Sequence, residues 1–198
     1  FDLHPSYKPV DNPNLAVLEP NINITKSFLI PLLSICRLLE TTPDIFNKAF
    51  IFCSHKLVTA EHKSLIHKTL MDTTVLGTSR GKNRVFFDDR ERVPHILHRD
   101  NPFIISHQHL NALNYTHLEA LHYGFPLIHN AEPFSDYGYY HKDFDLIEAS
   151  KQIKLAIESH NDNLKTYLEK SEEVVWKYSP ENPANKNKIE SLMVELTK

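Results

Sequence analysis

The stretch Leu113–Asn130, LNYTHLEALHYGFPLIHN, decides the fold. Asn114 and Thr116 are residue types that cap helix N-termini, so a helix is expected to begin there and to run over 114–123. Gly124 supplies a stop, since glycine reaches the left-handed backbone that ends helices without a Cβ penalty. Pro126 cannot continue the helix, and FPLIHN (125–130) reads as a short apolar strand. The unit is therefore a helix feeding directly into a buried strand, with one carboxylate, Glu119, in the first turns of the helix.

Working outward, the same alternation repeats. NLAVLEPNI (14–22) reads as a buried strand ended by Pro20. KSFLIPLLSICRLLE (26–40) reads as a helix, with Pro31 either in its first turn or at a kink. KAFIFCS (48–54) is an apolar strand, and TAEHKSLIHKTLM (59–71) an amphipathic helix with Leu65, Ile66 and Leu70 on one face. GTSRGKN (77–83) is expected to be a loop, RVFFDD (84–89) a strand, RERVPHILHR (90–99) a short helix or turn, and PFIISH (102–107) a strand. EPFSDYGYYHKDF (132–144) reads as an aromatic loop. The remainder reads as two helices, FDLIEASKQIKLAIESH and NDNLKTYLEKSEEVVWKY, then a break at SPENPANKN and a last amphipathic helix.

About five short apolar strands alternate with helices. Strands apolar on both faces belong to parallel sheets covered on each side, so the expected class is α/β, a Rossmann-like, mostly parallel sheet flanked by helices. The expected division is a linker or arm over 1–13, one domain over 14–179 and a C-terminal helix over 180–198. The length of 198 residues suits such a core, and a net charge of −3 predicts no general affinity for nucleic acid or anionic membranes. No apolar run approaches the roughly 20 residues of a transmembrane helix. The chain begins at Phe1 and shows no signal peptide, so it is expected to be a cytoplasmic piece of a longer protein. Cys36 and Cys53 read as reduced core thiols.

Ligands of doubly wound sheets sit at the carboxyl ends of the strands. The helix opening at Asn114, Tyr115 and Thr116 leaves the carboxyl end of FIISH, and its free N–H groups attract phosphate oxygens. Glu119, about one turn on, can accept hydrogen bonds from ribose hydroxyls. Phosphates on the helix tip and a sugar on the acid suit a nucleotide diphosphate.

EALHYGFPLI (119–128) resembles the Glu-Ala-x-x-x-Gly-x-Pro-Val/Leu-Ile signature of GT-B-fold glycosyltransferases, in their C-terminal donor-binding domain, as in the group 1 glycosyl transferases. The resemblance implies that Glu119 holds the ribose of a nucleotide diphosphate sugar, and that Lys26, a basic residue after the first strand, neutralises the diphosphate. It implies transfer of a sugar to an unknown acceptor, with no metal cofactor, and a missing N-terminal domain to which the last helix crosses. Retaining members place a second glutamate eight positions earlier, against the donor sugar; that position is Asn111 here, which hydrogen-bonds but carries no charge. The family's Gly-rich turn after the first strand is also absent, and Arg80 and Lys82 are candidates to supply positive charge instead. HNAEPFSDYGYY (129–140) is similar to a less characterised set of bacterial glycosyltransferase-like proteins.

His107 and His109 form His-x-His, but no Asp, Glu or Cys nearby in sequence completes a metal site. His109 is instead a candidate contact to the donor sugar or phosphates. Tyr137, Tyr139 and Tyr140 could line an acceptor or base pocket, although packing is the commoner use of such a cluster. Trp176, with Val174, Val175 and Leu168, is expected in core or interdomain packing. Two functions other than transfer fit the same residues: a non-catalytic nucleotide-sugar or protein-interaction module, which the uncharged Asn111 favours, and a sugar-nucleotide epimerase.

Overall fold

A computed structural model describes residues 4–23, 25–56, 65–111 and 114–196. The described elements are β1 (Leu15–Val17), α1 (Leu29–Thr41), β2 (Ala49–Ile51), α2 (Leu65–Thr73), α3 (Ser79–Arg84), β3 (Val85–Phe87), α4 (Val93–Asp100), β4 (Phe103–Ile105), α5 (Tyr115–His122), β5 (Leu127–His129), β6 (Tyr139–Tyr140), α6 (Leu146–Tyr178) and α7 (Pro183–Leu196). The six strands form one sheet in the order β3-β2-β1-β4-β5-β6, and every neighbouring pair is parallel. This is the Rossmann-like α/β architecture that the alternation predicts. The order reverses between β1 and β4, which opens a crevice at their carboxyl ends.

Side chains alternate across the strands as a sheet covered on both faces requires. Leu15, Val17, Ala49 and Ile51 join the main core, whereas Ala16 and Phe52 join a smaller cluster with Ile96 of α4 on the other face. α1 begins at Leu29, so Pro31 lies in its first turn, where a missing N–H costs nothing. α5 ends as its sequence dictates. Gly124, at φ 73°, donates to the carbonyl of Leu121, and Phe125 donates to that of Ala120, the paired bonds of a Schellman stop. A Cβ on Gly124 would lie 2.6 Å from the tip of the Leu168 side chain, which can move aside, so it is the backbone angle that demands glycine.

Four expectations are corrected. The tyrosines of 132–144 do not form a plain loop: Tyr139 and Tyr140 are a sixth strand on β5, too short for a period-2 pattern to register. SRGKNR is the short helix α3, begun by Thr78, whose hydroxyl accepts from the Gly81 amide. The two helices expected between 144 and 178 are one, α6, because nothing around His160–Asn161 breaks it. Trp176 is 52% exposed, which excludes the core and leaves the interdomain alternative of that expectation, although Val174 on the same helix is fully buried. Residues 59–64 of the helix expected over 59–71 lie outside the described residues.

The arm before β1 is fastened down. Tyr7 is buried against Phe103, Phe125 and His160, and its hydroxyl donates to Asn161 Oδ1 on α6 at 2.7 Å. Tyr167 on α6 performs a second long-range task. Its hydroxyl accepts from the Leu127 amide (3.1 Å) and donates to the Phe125 carbonyl (2.7 Å), completing the backbone entry to β5. α7, by contrast, buries none of its described residues.

Among the described residues, His107, His117, His129, His141 and His160 are buried. Burial holds them neutral: His107, His129, His141 and His160 titrate at about 4 and His117 well below its usual value. An unfolded histidine takes a proton below about 6.5. Between that pH and about 4 the unfolded chain therefore holds more protons at these five positions, and their contribution to stability falls as pH is lowered through the window.

Three outcomes are expected from this packing. Tyr167→Phe strands a buried amide and carbonyl and should lower stability by about 1–3 kcal/mol in urea unfolding. Removing residues 180–198 should leave the melting temperature nearly unchanged. Thermal melts should drop steadily from pH 6.5 to 4.5, and the drop should be smaller in His107→Phe.

Candidate functional site

A cleft of about 400 Å³ lies at the β1/β4 reversal. Its walls come from the segments just beyond the strands: Leu18, Glu19 and Lys26 after β1, Phe52 and Cys53 after β2, Arg90 to Val93 after β3, and Ser106 after β4, with Asn114 and Thr116 from the start of α5.

Glu19 anchors the back wall. It is 2% exposed and accepts from the Ser106 hydroxyl at 2.5 Å, the His107 amide at 3.2 Å and the Gln108 side-chain amide at 2.9 Å. The carboxylate thus pins the loop after β4 to the end of β1, and the His109 amide adds a bond to the Thr25 carbonyl at 2.9 Å. Burial pushes the Glu19 carboxyl up to about 7, against the opposing pull of its three donors and of Lys26. Ser106 also bonds Nε2 of fully buried His117 at 2.8 Å.

Asn21, held at φ 54°, shapes the turn in front of Glu19. Its side-chain amide donates to the Glu19 carbonyl, and its oxygen accepts from the Phe28 amide at the start of α1. Lys26 stands on that turn, and its ammonium has no hydrogen bond or ion pair among the described residues. Arg90 and Arg92 are exposed and also lack an ion pair there, while Glu91 beside them is engaged by Arg99 at 2.8 Å. The cleft therefore presents three cations that form no ion pair among the described residues, in one lining with the start of α5. At that tip Asn114 Oδ1 caps the Thr116 amide at 3.2 Å, which leaves the tip only partly free to bind an anion.

A second depression, of about 480 Å³, lies across the loop after β4, lined by Gln108 to Asn111, Asn130 to Pro133, Tyr140 and Lys142 to Phe144. Asn130 clasps the Gln108 backbone at two points, 2.7 and 2.8 Å. Asn111 donates to Gln108 Oε1 at 3.0 Å, so the Gln108 side chain bridges from Glu19 in the cleft to Asn111 in the depression. His109 and His107 lie against Phe144, at 5.1 and 4.6 Å between ring centres.

The expected site residues therefore divide. Lys26, Asn114 and Thr116 share the cleft; Asn111 and His109 share the second depression. Glu119 lines neither. It stands one turn beyond Thr116 on the same helix face, half-buried, and its carboxyl has no hydrogen-bond partner among the described residues. Burial raises that carboxyl. The Tyr115 side chain is 76% exposed and outside the cleft. Arg80 is not brought to the site. It sits on α3, which runs straight into β3, so it lies at the amino ends of the strands. There its neighbour Arg84 bonds the carbonyls of Phe46 and Asn47, just before β2. Cys53, expected in the core, borders the cleft, while Cys36 is buried as expected. Glu19, Arg90, Arg92 and Ser106 were not singled out from the sequence, although each lies just past the end of a strand, which is the signal that marks ligand positions in such a sheet. Among the described residues no group of histidine, cysteine and carboxylate could hold a metal ion, and no helix is long and apolar enough to cross a membrane.

No curated protein matches the sequence. Among solved structures the chain is similar to TarM, with a TM-score of 0.65 and 16% identity over 97% of this chain and 37% of that one. It is also similar to a mutant of S. aureus TarM in complex with Fondaparinux, alpha-GlcNAc-glycerol and UDP (TM-score 0.66, 15% identity, 91% and 36% of the two chains). The pneumococcal O-GlcNAc transferase GtfA, in complex with UDP and GlcNAc, gives a TM-score of 0.63 at 11% identity, over 97% and 37%. At such identities the likeness is one of fold, and the chain spans little more than a third of the length of these proteins. Over residues 2–193 the sequence matches the family described as "Protein of unknown function (DUF2827)", and the chain belongs to that family.

Proposed function

We propose that the chain is the donor-binding domain of a glycosyltransferase, holding a nucleotide diphosphate sugar for transfer to an acceptor. The observation that carries this reading is the unpaired Lys26 at the β1/β4 crevice, facing the same cleft as Arg90, Arg92 and the start of α5. A buried-walled cleft whose cations have no internal partner is chemistry waiting for an anion. The fold supports the reading, since similar structures include a transferase solved with UDP.

On this reading Lys26, Arg90 and Arg92 surround the diphosphate, with the Asn114–Thr116 amides at its other side. Glu119 accepts from the ribose, which would end its carboxyl's lack of a partner. Asn111 and His109, in the neighbouring depression, meet the sugar. Stabilising the departing diphosphate by prearranged positive charge is the protein's main catalytic contribution, of the kind that often dominates in transferases. No metal is invoked, because the cations serve that purpose. The acceptor side and any general base belong to a further domain, and the exposed α7 is available to reach it. We place the domain in the cytoplasm, where nucleotide sugars are found.

One observation favours a second reading, a binding module without chemistry. Asn111, where retaining enzymes of the resembling family carry a charged glutamate, is neutral and already engaged by Gln108.

Calorimetry with a panel of nucleotide sugars decides whether the cleft binds. Lys26→Ala should weaken a bound nucleotide diphosphate at least tenfold, and Glu119→Ala should cost ribose-containing ligands about 1–3 kcal/mol. Arg80→Ala should change nothing. Equal affinity in wild type and Lys26→Ala would refute the diphosphate assignment, and hydrolysis or transfer by the longer protein separates the transferase from the passive module.

A further inference from the structure

Glu19 is a carboxylate where an anion-binding cleft has least use for one. It lines the cleft yet is 2% exposed. Lys26 is close enough for its charge to act on Glu19 but forms no ion pair with it. Other ionisable groups surround the carboxyl: Cys53 after β2, Arg90, Glu91 and Arg92 after β3, His107 after β4 and His117 on α5. Of these, burial holds the two histidines neutral and raises the Cys53 thiol, and Glu91 is paired to Arg99.

The Glu19–Ser106 hydrogen bond can run in either direction, and the donor-only Gln108 amide keeps an acceptor at Oε2 in both charge states. Ser106 has one hydrogen and two lone pairs. With Glu19 ionised, the hydroxyl donates to Oε1 and accepts from His117 Nε2. With Glu19 protonated, the carboxyl donates to the hydroxyl, which donates on to His117 Nε2, and the imidazole hydrogen then resides on Nδ1. That Nδ1 is buried and has no hydrogen-bond partner, so neither tautomer of the ring breaks a bond there. The chain Glu19–Ser106–His117 therefore stays connected in both states, and the Gln108 bond to Oε2, the Asn130 clasp on Gln108 and the His109–Thr25 bond hold the loop after β4 without needing the charge.

We propose that Glu19 is a positioning residue that takes up a proton from solvent when a diphosphate enters the cleft, so that the loop after β4 remains pinned without a negative charge facing the ligand. The proposal rests on the diphosphate reading of the cleft. Two fixed negative charges arriving beside Glu19 favour its neutral form, and by linkage the ligand binds more tightly as pH falls. The free carboxyl titrates at about 7, so the effect falls in the range from pH 8 to 6.

The test is calorimetry of UDP-glucose binding to the whole chain at pH 7, in buffers of different ionisation enthalpy. This probe suits the purpose because its phosphates are diesters and lack the ionisation near pH 6 of a terminal phosphate. A tenfold rise in the proton affinity of Glu19 corresponds to uptake of about 0.4 proton per ligand. Affinity should rise severalfold between pH 8 and 6. Glu19→Gln should bind with no proton uptake and with an affinity independent of pH in this range. The carboxyl ¹³C resonance of Glu19 in the unliganded wild-type protein, which needs no variant, should titrate near neutrality, and its titration should shift upward on saturation. Binding without proton uptake, or a Glu19 titration near 4.5, overturns this inference and leaves the diphosphate reading standing. No binding of any nucleotide sugar overturns both.

Discussion

The carboxylate of Glu19 joins the two halves of the sheet at the point where their order reverses. β1 and β4 are neighbours in the sheet, but the segments after them leave in opposite directions, so nothing in the strand pairing holds those segments together. Three donors from residues 106–108 converge on one buried acid and supply the missing tie. A buried carboxylate is costly unless its lone pairs are satisfied, and this arrangement satisfies them with groups that themselves need acceptors. The crevice can then stay open to solvent without the loop drifting into it.

The rest of the site depends on that tie. Once the loop after β4 is fixed, Gln108 faces Glu19 with its amide nitrogen and Asn111 with its oxygen, so the cleft and the second depression share one wall. The start of α5 is set beside Lys26, and Asn130 locks the same loop to the end of β5. Positive charge is gathered at the rim by Arg90 and Arg92, which leave the sheet after β3. The acid at the back and the cations at the front divide the work: one orders the backbone, the others set the potential a ligand meets.

The core beneath relies on polar groups as well as apolar ones. Tyr167 and Tyr7 carry hydroxyls across the domain to backbone and side-chain partners far away in sequence, and buried neutral histidines fill part of the interior. These choices make the packing sensitive to pH, since an imidazole in an apolar setting gives up its proton affinity on folding.

Local chemistry in the chain was enough to establish the α/β class, the helix at 114–123, its stop at Gly124 and the strand beyond it, because caps, glycine angles and apolar runs act over a few residues. The short signature at 119–128 pointed further, to a family of transferases. It could not show which charges meet. Lys26 and Thr116 are brought to one cleft and Arg80 is carried to the far end of the sheet, because parallel strands deliver the residues after them to one end of the sheet and the residues before them to the other. The partners of Glu19 lie 87 to 89 residues away, the sixth strand is formed by its pairing with β5, and Trp176 is half-exposed on a helix whose Val174 is fully buried. Each of these depends on how distant segments meet, and such meetings are settled by the closing of the whole sheet, not by any one stretch of sequence.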